Sequence, residues 1–311
     1  MKDFRSGPDF LCVGMPCSGT RWLYDNLQAH SDIEMPLIKE LHFLDRGFRS
    51  RTLNNRLKKI IHRETNGRGV ATSHRVFLER YAQAPSIPGL PEAEAAYLWA
   101  WKHGTAEETT FKPQAEHFDW YESLFEPYRP KMTGDVTPGY WWVGPDTIRT
   151  FNERYPHMRY IVMLRNPVSR TISSLNKQVH KGVFSLAEAH ELIESPPSLP
   201  QVLANGELMT TFGLRSSQAI MKWAEIVGRE AIQILTLDEV SKAPDRVRAR
   251  IYDFLGQSAP ASMIDETMTS NRKENRFPNL LTDADTSNLR HSLRAEIESC
   301  KVLVGDAVMN W

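Results

Sequence analysis

Most of what can be predicted about the fold comes from one short segment, Phe10-Leu11-Cys12-Val13-Gly14-Met15-Pro16-Cys17-Ser18-Gly19-Thr20-Arg21. Its first four residues are apolar and predict a short buried strand. A turn rich in small residues follows, and apolar residues at helical spacing begin at Thr20. Such a turn aims backbone N–H groups at one point, where a phosphate fits. An ordinary tight connection between a strand and a helix is the alternative for this segment taken alone.

The spacing of Gly14 and Gly19 resembles that of the phosphate-binding loop G-x-x-x-x-G-K-[ST]. Thr20 occupies the lysine position, so the segment is not that motif, which argues against an ATP-dependent kinase. The predicted contacts to an anionic ligand come from five consecutive loop residues, Cys17, Ser18, Gly19, Thr20 and Arg21.

A second phosphate-binding element is predicted around Arg165. Residues 160–164 form an apolar run typical of an interior parallel strand, and Arg165 follows at its carboxyl end, where open α/β sheets bind ligands. Asn166 and Pro167 suit the cap and the first position of the next helix. Ser173 lies two turns beyond the cap on the same side, so its hydroxyl and the Arg165 guanidinium can hold a phosphate. The alternatives are a strand-end ion pair for Arg165 and a backbone hydrogen bond for Ser173.

The remaining pattern predicts an α/β protein of three layers, in which a central parallel sheet is flanked by helices. One more strand is expected at 233–237. Helices are expected from the spacing of apolar residues at 145–155, 212–227, 244–255 and 284–304.

Residues 46–126 look mostly helical and are expected to form an insertion within a single domain spanning 1–311. The first helix of this insertion is predicted from an apolar stripe that begins at Leu53. Residues 46–68 hold eight Lys or Arg against one acid, Glu64. This basic cluster is either a groove for a polyanionic acceptor or a solvated helix face.

Composition narrows the class of protein further. The chain has 311 residues, 41% hydrophobic and 24% charged, which excludes wholesale disorder. Its 38 basic and 38 acidic residues cancel, so bulk charge favours neither nucleic acid nor an anionic membrane as a partner. Three cysteines without a metal-ligand pattern fit a reducing cytosol and no metal site. No signal peptide or membrane-spanning run is recognised, so a soluble cytoplasmic protein is expected.

Taken together, residues 10–45 and 159–180 resemble the two signature segments of sulfotransferases, enzymes that use 3′-phosphoadenosine 5′-phosphosulfate (PAPS). The first resembles their 5′-phosphosulfate loop, and the second resembles their 3′-phosphate motif, Arg-Asn/Asp-Pro-x-x-Arg-x-x-Ser. The resemblance implies a P-loop-like fold, PAPS as the sulfuryl donor, adenosine 3′,5′-bisphosphate as the product and no required metal.

Further matches resemble the glycosaminoglycan-type, or carbohydrate, branch of that family. Lys39-Glu40-Leu41-His42-Phe43-Leu44-Asp45 is similar to its Glu-x-His-Phe-Phe-Asp segment, in which the glutamate takes the proton of the acceptor hydroxyl. The resemblance implies Glu40 as the general base, with His42 and Asp45 supporting it. His42 is the alternative base, as in the cytosolic branch of the family.

Two later segments carry weaker matches. Asp135-Val136-Thr137-Pro138-Gly139-Tyr140 is similar to the branch's Glu-Lys-Thr-Pro-x-Tyr turn, with Val136 in place of its lysine. The resemblance implies that Thr137, Tyr140 and the adjacent Trp141, together with Asp45, bind the acceptor. Nucleotide contacts are also implied for a late loop, which here reads Asn271, Arg272 and Lys273 without the expected Lys-Gly pattern.

One position departs from the family's loop. Three residues before its threonine, the family usually carries a Lys or Arg that contacts the phosphosulfate, and here that residue is Cys17. A thiol cannot neutralise the charge that grows on the departing phosphate. Arg21 and Lys39 are the nearest cations in sequence that could replace it.

The favoured function is therefore sulfuryl transfer from PAPS to a hydroxyl or amine, with a carbohydrate or other small molecule as the acceptor. The first alternative is a relative that binds the nucleotide but is impaired in catalysis by Cys17. A small-molecule kinase is the second alternative. The sequence does not indicate the acceptor's identity or the oligomeric state.

Overall fold

The structure of the protein is a computed structural model. It describes residues 6–36, 38–45, 52–53, 115–197, 215–258, 278–308 and 310–311, together with positions 201, 208, 211 and 212.

The strands form one main sheet and one small hairpin. Their bounds are β1 (Phe10–Gly14), β2 (Ile38–Lys39), β3 (Thr52–Leu53), β4 (Gly134–Val136), β5 (Arg159–Leu164) and β6 (Ile232–Thr236). The main sheet has the order β4-β1-β5-β6, and all of its pairings are parallel. Cys12 pairs with Val136 on one side and Ile161 on the other, so β1 lies inside the sheet with both edges satisfied.

Helices connect and cover these strands. Their bounds are α1 (Thr20–Gln28), α2 (Ala115–Ser123), α3 (Pro145–Arg154), α4 (Pro167–His180), α5 (Leu186–Glu194), α6 (Ser216–Val227), α7 (Leu237–Lys242), α8 (Pro244–Leu255), α9 (Asp283–Ser292) and α10 (Arg294–Val304). Short 3₁₀ turns, including Pro138–Trp142, join several of them.

The sheet is buried on both faces because successive strand residues point to opposite sides. Leu11 and Val13 of β1 belong to a core shared with α2, α3 and α6. Phe10 and Cys12 belong to a second core shared with α1 and α8. Two cores on opposite faces of one parallel sheet confirm the predicted three-layer α/β fold.

Most predicted elements are present, and three differ in detail. The last strand ends at Thr236, whose side chain caps α7, so Leu237 is helical. The helix predicted at 284–304 is divided at Leu293 into α9 and α10. Leu53, predicted to begin a helix, lies instead in β3, which pairs antiparallel with β2. Single-domain organisation stays a prediction, as does the helical insertion apart from α2 and β3 at its described positions.

Candidate active site

The candidate site lies at the carboxyl ends of the parallel strands. Gly14 ends β1 and Arg165 directly follows β5, so the two predicted phosphate-binding segments meet at one edge of the sheet. In the sheet, β1 has β4 as its neighbour on one side and β5 on the other, so the chain crosses from one side of β1 to the other between β4 and β5. Such a reversal of strand order opens a crevice where α/β proteins bind ligands.

The loop after β1 presents backbone donors at this edge. The Met15 N–H donates to the Met163 carbonyl at 2.7 Å, which fixes the start of the loop beside β5. Gly19 caps α1 with φ 88°, and no side chain caps the first N–H groups of that helix. A Cβ at Gly19 would lie 2.7 Å from a methyl group of Leu237, so the position requires glycine for space as well as for conformation. These donors and the helix dipole suit a bound anion.

Arg165 supplies a positive charge next to the loop. Its Nη1 donates to the Cys17 carbonyl oxygen at 3.1 Å. Burial lowers the pKa of Arg165 from its ordinary value, and the negative charge of Asp238 opposes that shift. The guanidinium stays charged at neutral pH because the ordinary arginine pKa is far above it.

The helix after Arg165 begins as predicted. Asn166 accepts hydrogen bonds from the N–H groups of Val168 at 2.9 Å and Ser169 at 3.3 Å, and Pro167 occupies the first helical position. Ser173 lies half-buried on α4. The second arginine of the motif, Arg170, is buried and donates to the Thr211 carbonyl at 2.8 Å, so it ties α4 to the backbone at position 211.

A row of ionisable side chains begins at the last residue of β2. Lys39 Nζ lies 2.6 Å from Glu40 Oε1, and Glu40 Oε2 lies 3.8 Å from His42 Nε2. His42 Nδ1 in turn lies 2.9 Å from Asp45 Oδ2. The structure therefore brings together Lys39, Glu40, His42 and Asp45, all predicted as site residues.

The Glu40 carboxyl is held in its ionised form. Burial alone would raise its pKa, but the charge and hydrogen bond of Lys39 outweigh burial, so the pKa lies below its usual value. The charges of His42 and of Lys177 on α4 lower it further. Sequence patterns did not single out Lys177, because its effect on Glu40 depends on how α4 packs in the fold.

Strained backbone conformations occur in the loop after β1 and in the segment that follows β2. Among the described residues, three that are not glycine have positive φ, namely Cys17 at 63°, Glu40 at 65° and His42 at 57°. A left-handed conformation costs such residues about 1–3 kcal/mol each and persists only where neighbouring contacts impose it. Its restriction to the two predicted segments supports a functional role for both.

A buried carboxyl lies beneath the Glu40–His42 turn. Asp135 at the end of β4 accepts hydrogen bonds from the hydroxyls of Thr137 at 2.7 Å, Tyr140 at 2.5 Å and Tyr121 at 3.0 Å. Burial raises the pKa of Asp135, and these three donors oppose the shift. Asp135 was not predicted as a site residue, although it begins the Asp-Val-Thr-Pro-Gly-Tyr segment that was.

The residues predicted to bind the acceptor lie under the turn. Thr137 and Tyr140 are fully buried with their hydroxyls bonded to Asp135, and Trp141 is buried against Trp142. Their direct contact with an acceptor stays a prediction. Gly139 leaves room for the neighbouring residues, because a Cβ there would collide with the Asp45 carboxylate and lie 3.2 Å from the His42 ring.

Lys222 of α6 binds the end of the 3₁₀ turn Pro138–Trp142. Its Nζ donates to the carbonyl oxygens of Trp141 at 2.9 Å and Val143 at 2.7 Å. Burial lowers the pKa of this ammonium to about 8.

Lys222→Met is expected to remove a pH-dependent part of the stability. The unfolded lysine has its ordinary pKa of 10.5 and the folded one titrates near 8. Between these values the unfolded state binds more protons, so wild-type stability should rise with pH relative to the variant. Urea unfolding of both proteins at about pH 7.5 and about pH 9.5 measures this difference. An identical change in both proteins would contradict it.

The cations suggested to replace the loop lysine lie elsewhere. Arg21 forms an ion pair at 3.4 Å with Asp25 on α1, and its side chain is 42% exposed. Lys39 is buried against Glu40. Arg165 is therefore the cation with a hydrogen bond to the loop at Cys17, a position that the sequence had assigned only to the second phosphate.

Several predicted features lie outside the described residues. These are the late-loop residues Asn271, Arg272 and Lys273, and the basic cluster apart from the backbone of Thr52 and Leu53. Among the residues that are described, no group of three or more His, Cys, Asp or Glu is placed to hold a metal ion. No described helix is long and apolar enough to cross a bilayer.

The parallel sheet, the loop after β1 and the carboxylate–imidazole row beside it define an α/β protein with its candidate site at the carboxyl ends of the strands. Residues 8–260 match the family model described as the sulfotransferase family, and the chain belongs to that family.

Two relatives illustrate the similarity. Carbohydrate sulfotransferase 15 of Mus musculus is 24% identical over 296 residues, which cover 87% of this chain but only 47% of that protein. A sulfotransferase from Alicyclobacillus acidocaldarius has a similar solved structure, with a TM-score of 0.58, 18% identity and 96% of each chain covered. The second likeness confirms the fold.

Proposed function

We propose that the protein transfers the sulfuryl group of PAPS to a hydroxyl, or an amine, of a carbohydrate acceptor. The observation that carries the proposal is the placement of the ionised Glu40 on the same sheet edge as the loop. His42 N–H donates to Thr137 Oγ1 at 3.4 Å, and the Thr137 N–H donates to the Cys12 carbonyl of β1 at 3.1 Å. Family membership and the mouse relative's name support the reaction and the carbohydrate class.

The donor set suits the 5′-phosphosulfate of PAPS. The uncapped N–H groups of α1, with Ser18 and Thr20, would hold the phosphosulfate, and Arg165 would neutralise the charge that grows on the departing phosphate. The 3′-phosphate would bind Ser173 at α4, with the late-loop residues Asn271, Arg272 and Lys273 covering the nucleotide.

Glu40 accepts the proton of the acceptor hydroxyl as the new oxygen–sulfur bond forms in line with the bond that breaks. Lys39 keeps the carboxylate ionised and oriented. The Asp45 carboxylate fixes the His42 ring through Nδ1, so Nε2 faces Glu40. This arrangement supports Glu40 as the base and His42 as its neighbour, with positioning and charge stabilisation supplying most of the rate.

A nucleotide-binding relative without turnover is the second candidate, favoured by the thiol at Cys17. Calorimetric titration with adenosine 3′,5′-bisphosphate in the absence of Mg²⁺ should show binding under either candidate. Mass spectrometry of glycans incubated with PAPS should then detect the mass gain of one sulfuryl group. Binding without any mass gain across glycan, phenol and lipid panels would favour the second candidate. Binding of Mg·ATP alone would overturn both.

The cytoplasmic location remains a proposal that rests on the cysteine content.

A further inference from the structure

Two backbone N–H groups of the Glu40 segment are bonded to buried hydroxyls from another part of the chain. His42 N–H donates to Thr137 Oγ1 at 3.4 Å, and Phe43 N–H donates to the Tyr140 hydroxyl at 2.9 Å. Both hydroxyls donate in turn to Asp135, at 2.7 Å and 2.5 Å. These three residues, Asp135, Thr137 and Tyr140, are called the Asp135 network below.

The direction of these hydrogen bonds follows from the chemistry of a carboxylate. The Thr137 and Tyr140 hydroxyls each donate their single proton to a carboxyl oxygen of Asp135. The remaining lone pairs of the hydroxyls then face His42 N–H and Phe43 N–H as acceptors. One buried carboxyl group thereby fixes the direction of the hydrogen bonds made by both hydroxyls that hold the turn.

The turn so held contains two of the three described non-glycine residues with positive φ, Glu40 and His42. A strained conformation persists only when its surroundings impose it. The hydrogen bonds from the His42 and Phe43 N–H groups to the two hydroxyls, which are both bonded to the buried Asp135, constrain the backbone in this way. Relaxation of the turn would move the Glu40 carboxylate away from Lys39 and His42.

We propose that Asp135 is a positioning residue, which acts through Thr137 and Tyr140 to hold the Glu40–His42 turn in its left-handed conformation. The consequence for catalysis rests on the proposed sulfuryl transfer, whereas the holding of the turn does not. Asp135 itself touches no reacting atom, because it lies buried beneath the turn.

Amide hydrogen exchange at His42 and Phe43 measures the holding directly and needs no sulfuryl donor. Asp135→Asn keeps the shape but introduces an N–H donor toward one hydroxyl, so exchange at both amides should accelerate about 3- to 10-fold. Tyr140→Phe should accelerate exchange at Phe43 to a similar extent, about 3- to 10-fold. Tyr160→Phe is the matched control, since Tyr160 is equally buried and loses one hydroxyl bond, to Asn152 at 3.1 Å.

Position 137 provides a second pair of variants should Asp135→Asn fail to fold. Thr137→Ser keeps the hydroxyl and should resemble wild type, whereas Thr137→Val keeps the shape and should accelerate exchange at His42. Unchanged exchange in Thr137→Val and Tyr140→Phe, or equal acceleration in Tyr160→Phe, would overturn the inference.

Kinetics test the catalytic consequence. In Tyr140→Phe and Thr137→Val, kcat should fall about 10-fold or more through misplacement of Glu40, while the KM for PAPS changes little. Loosened amides with unchanged kcat would leave Asp135 a purely structural role and overturn the positioning. An inactive wild-type protein would instead refute the proposed function, and amide exchange would still decide whether the network holds the turn.

Discussion

Glu40→Gln is expected to lower kcat by about two to four orders of magnitude, the range that a positioned general base contributes. Glutamine has nearly the same shape and can still accept a hydrogen bond from Lys39, but it cannot take up a proton at neutral pH. Binding of adenosine 3′,5′-bisphosphate should persist, because Glu40 is not one of the proposed nucleotide contacts. Single-turnover kinetics with PAPS and calorimetric titration measure the two quantities separately.

Glu34→Gln is a suitable control for this variant. Glu34 forms a surface ion pair with Lys131 at 3.0 Å and lies outside the site, so its replacement should leave kcat unchanged. If Glu40→Gln turns over like wild type, Glu40 is not the base.

The pH profile distinguishes Glu40 from His42 as the base. A base acts when it is unprotonated, and the pKa of Glu40 is lowered. Activity should therefore persist to acid pH and decline only below the usual glutamate range. A decline at about pH 6–7 would indicate a histidine base instead.

Arg165→Gln should lower kcat by about 100- to 1000-fold, as expected on losing one electrostatic contact to a growing charge. The described cation hydrogen-bonded to the loop at Cys17 is Arg165, so its loss leaves the departing phosphate without that charge. Arg149→Gln is the control, because Arg149 is exposed and paired with Asp146 at 2.7 Å. Equal activity of Arg165→Gln and Arg149→Gln would contradict the role of Arg165.

Cys17→Lys tests whether Arg165 replaces the family's loop cation. In the wild-type background it should change kcat little, because Arg165 already supplies the charge. In the Arg165→Gln background it should recover part of the lost rate. This coupling between the two positions is what a double-mutant cycle measures. A large gain in the wild-type background would mean that the loop lacks a cation.

Local signals account for what the sequence predicted well. The apolar run before Arg165, the cap at Asn166 and the glycine turn at Gly19 each depend on a few neighbouring residues, and all three are present in the structure. Glu40 and His42 were predicted from a resemblance between segments, and the structure places them side by side. Their chemical roles await the measurements above.

Long-range contacts account for what the sequence missed. The bonds from His42 to Thr137 and from Phe43 to Tyr140 join residues 95 and 97 positions apart. No periodicity marks such pairs, so the anchoring role of Asp135 became visible only in three dimensions. The prediction of a helix beginning at Leu53 was wrong for a related reason, since a two-residue strand is determined by its partner strand and not by its own sequence pattern.

The hydrogen bond between Arg165 and the loop affects which side chains residue 17 can carry. Arg165 binds the main-chain oxygen of residue 17 and not its side chain, so the contact does not depend on which side chain is present. A residue that tolerates positive φ can replace Cys17 without disturbing the shape of the loop. The side chain at position 17 can therefore change while the hydrogen bond from Arg165 to the loop is kept.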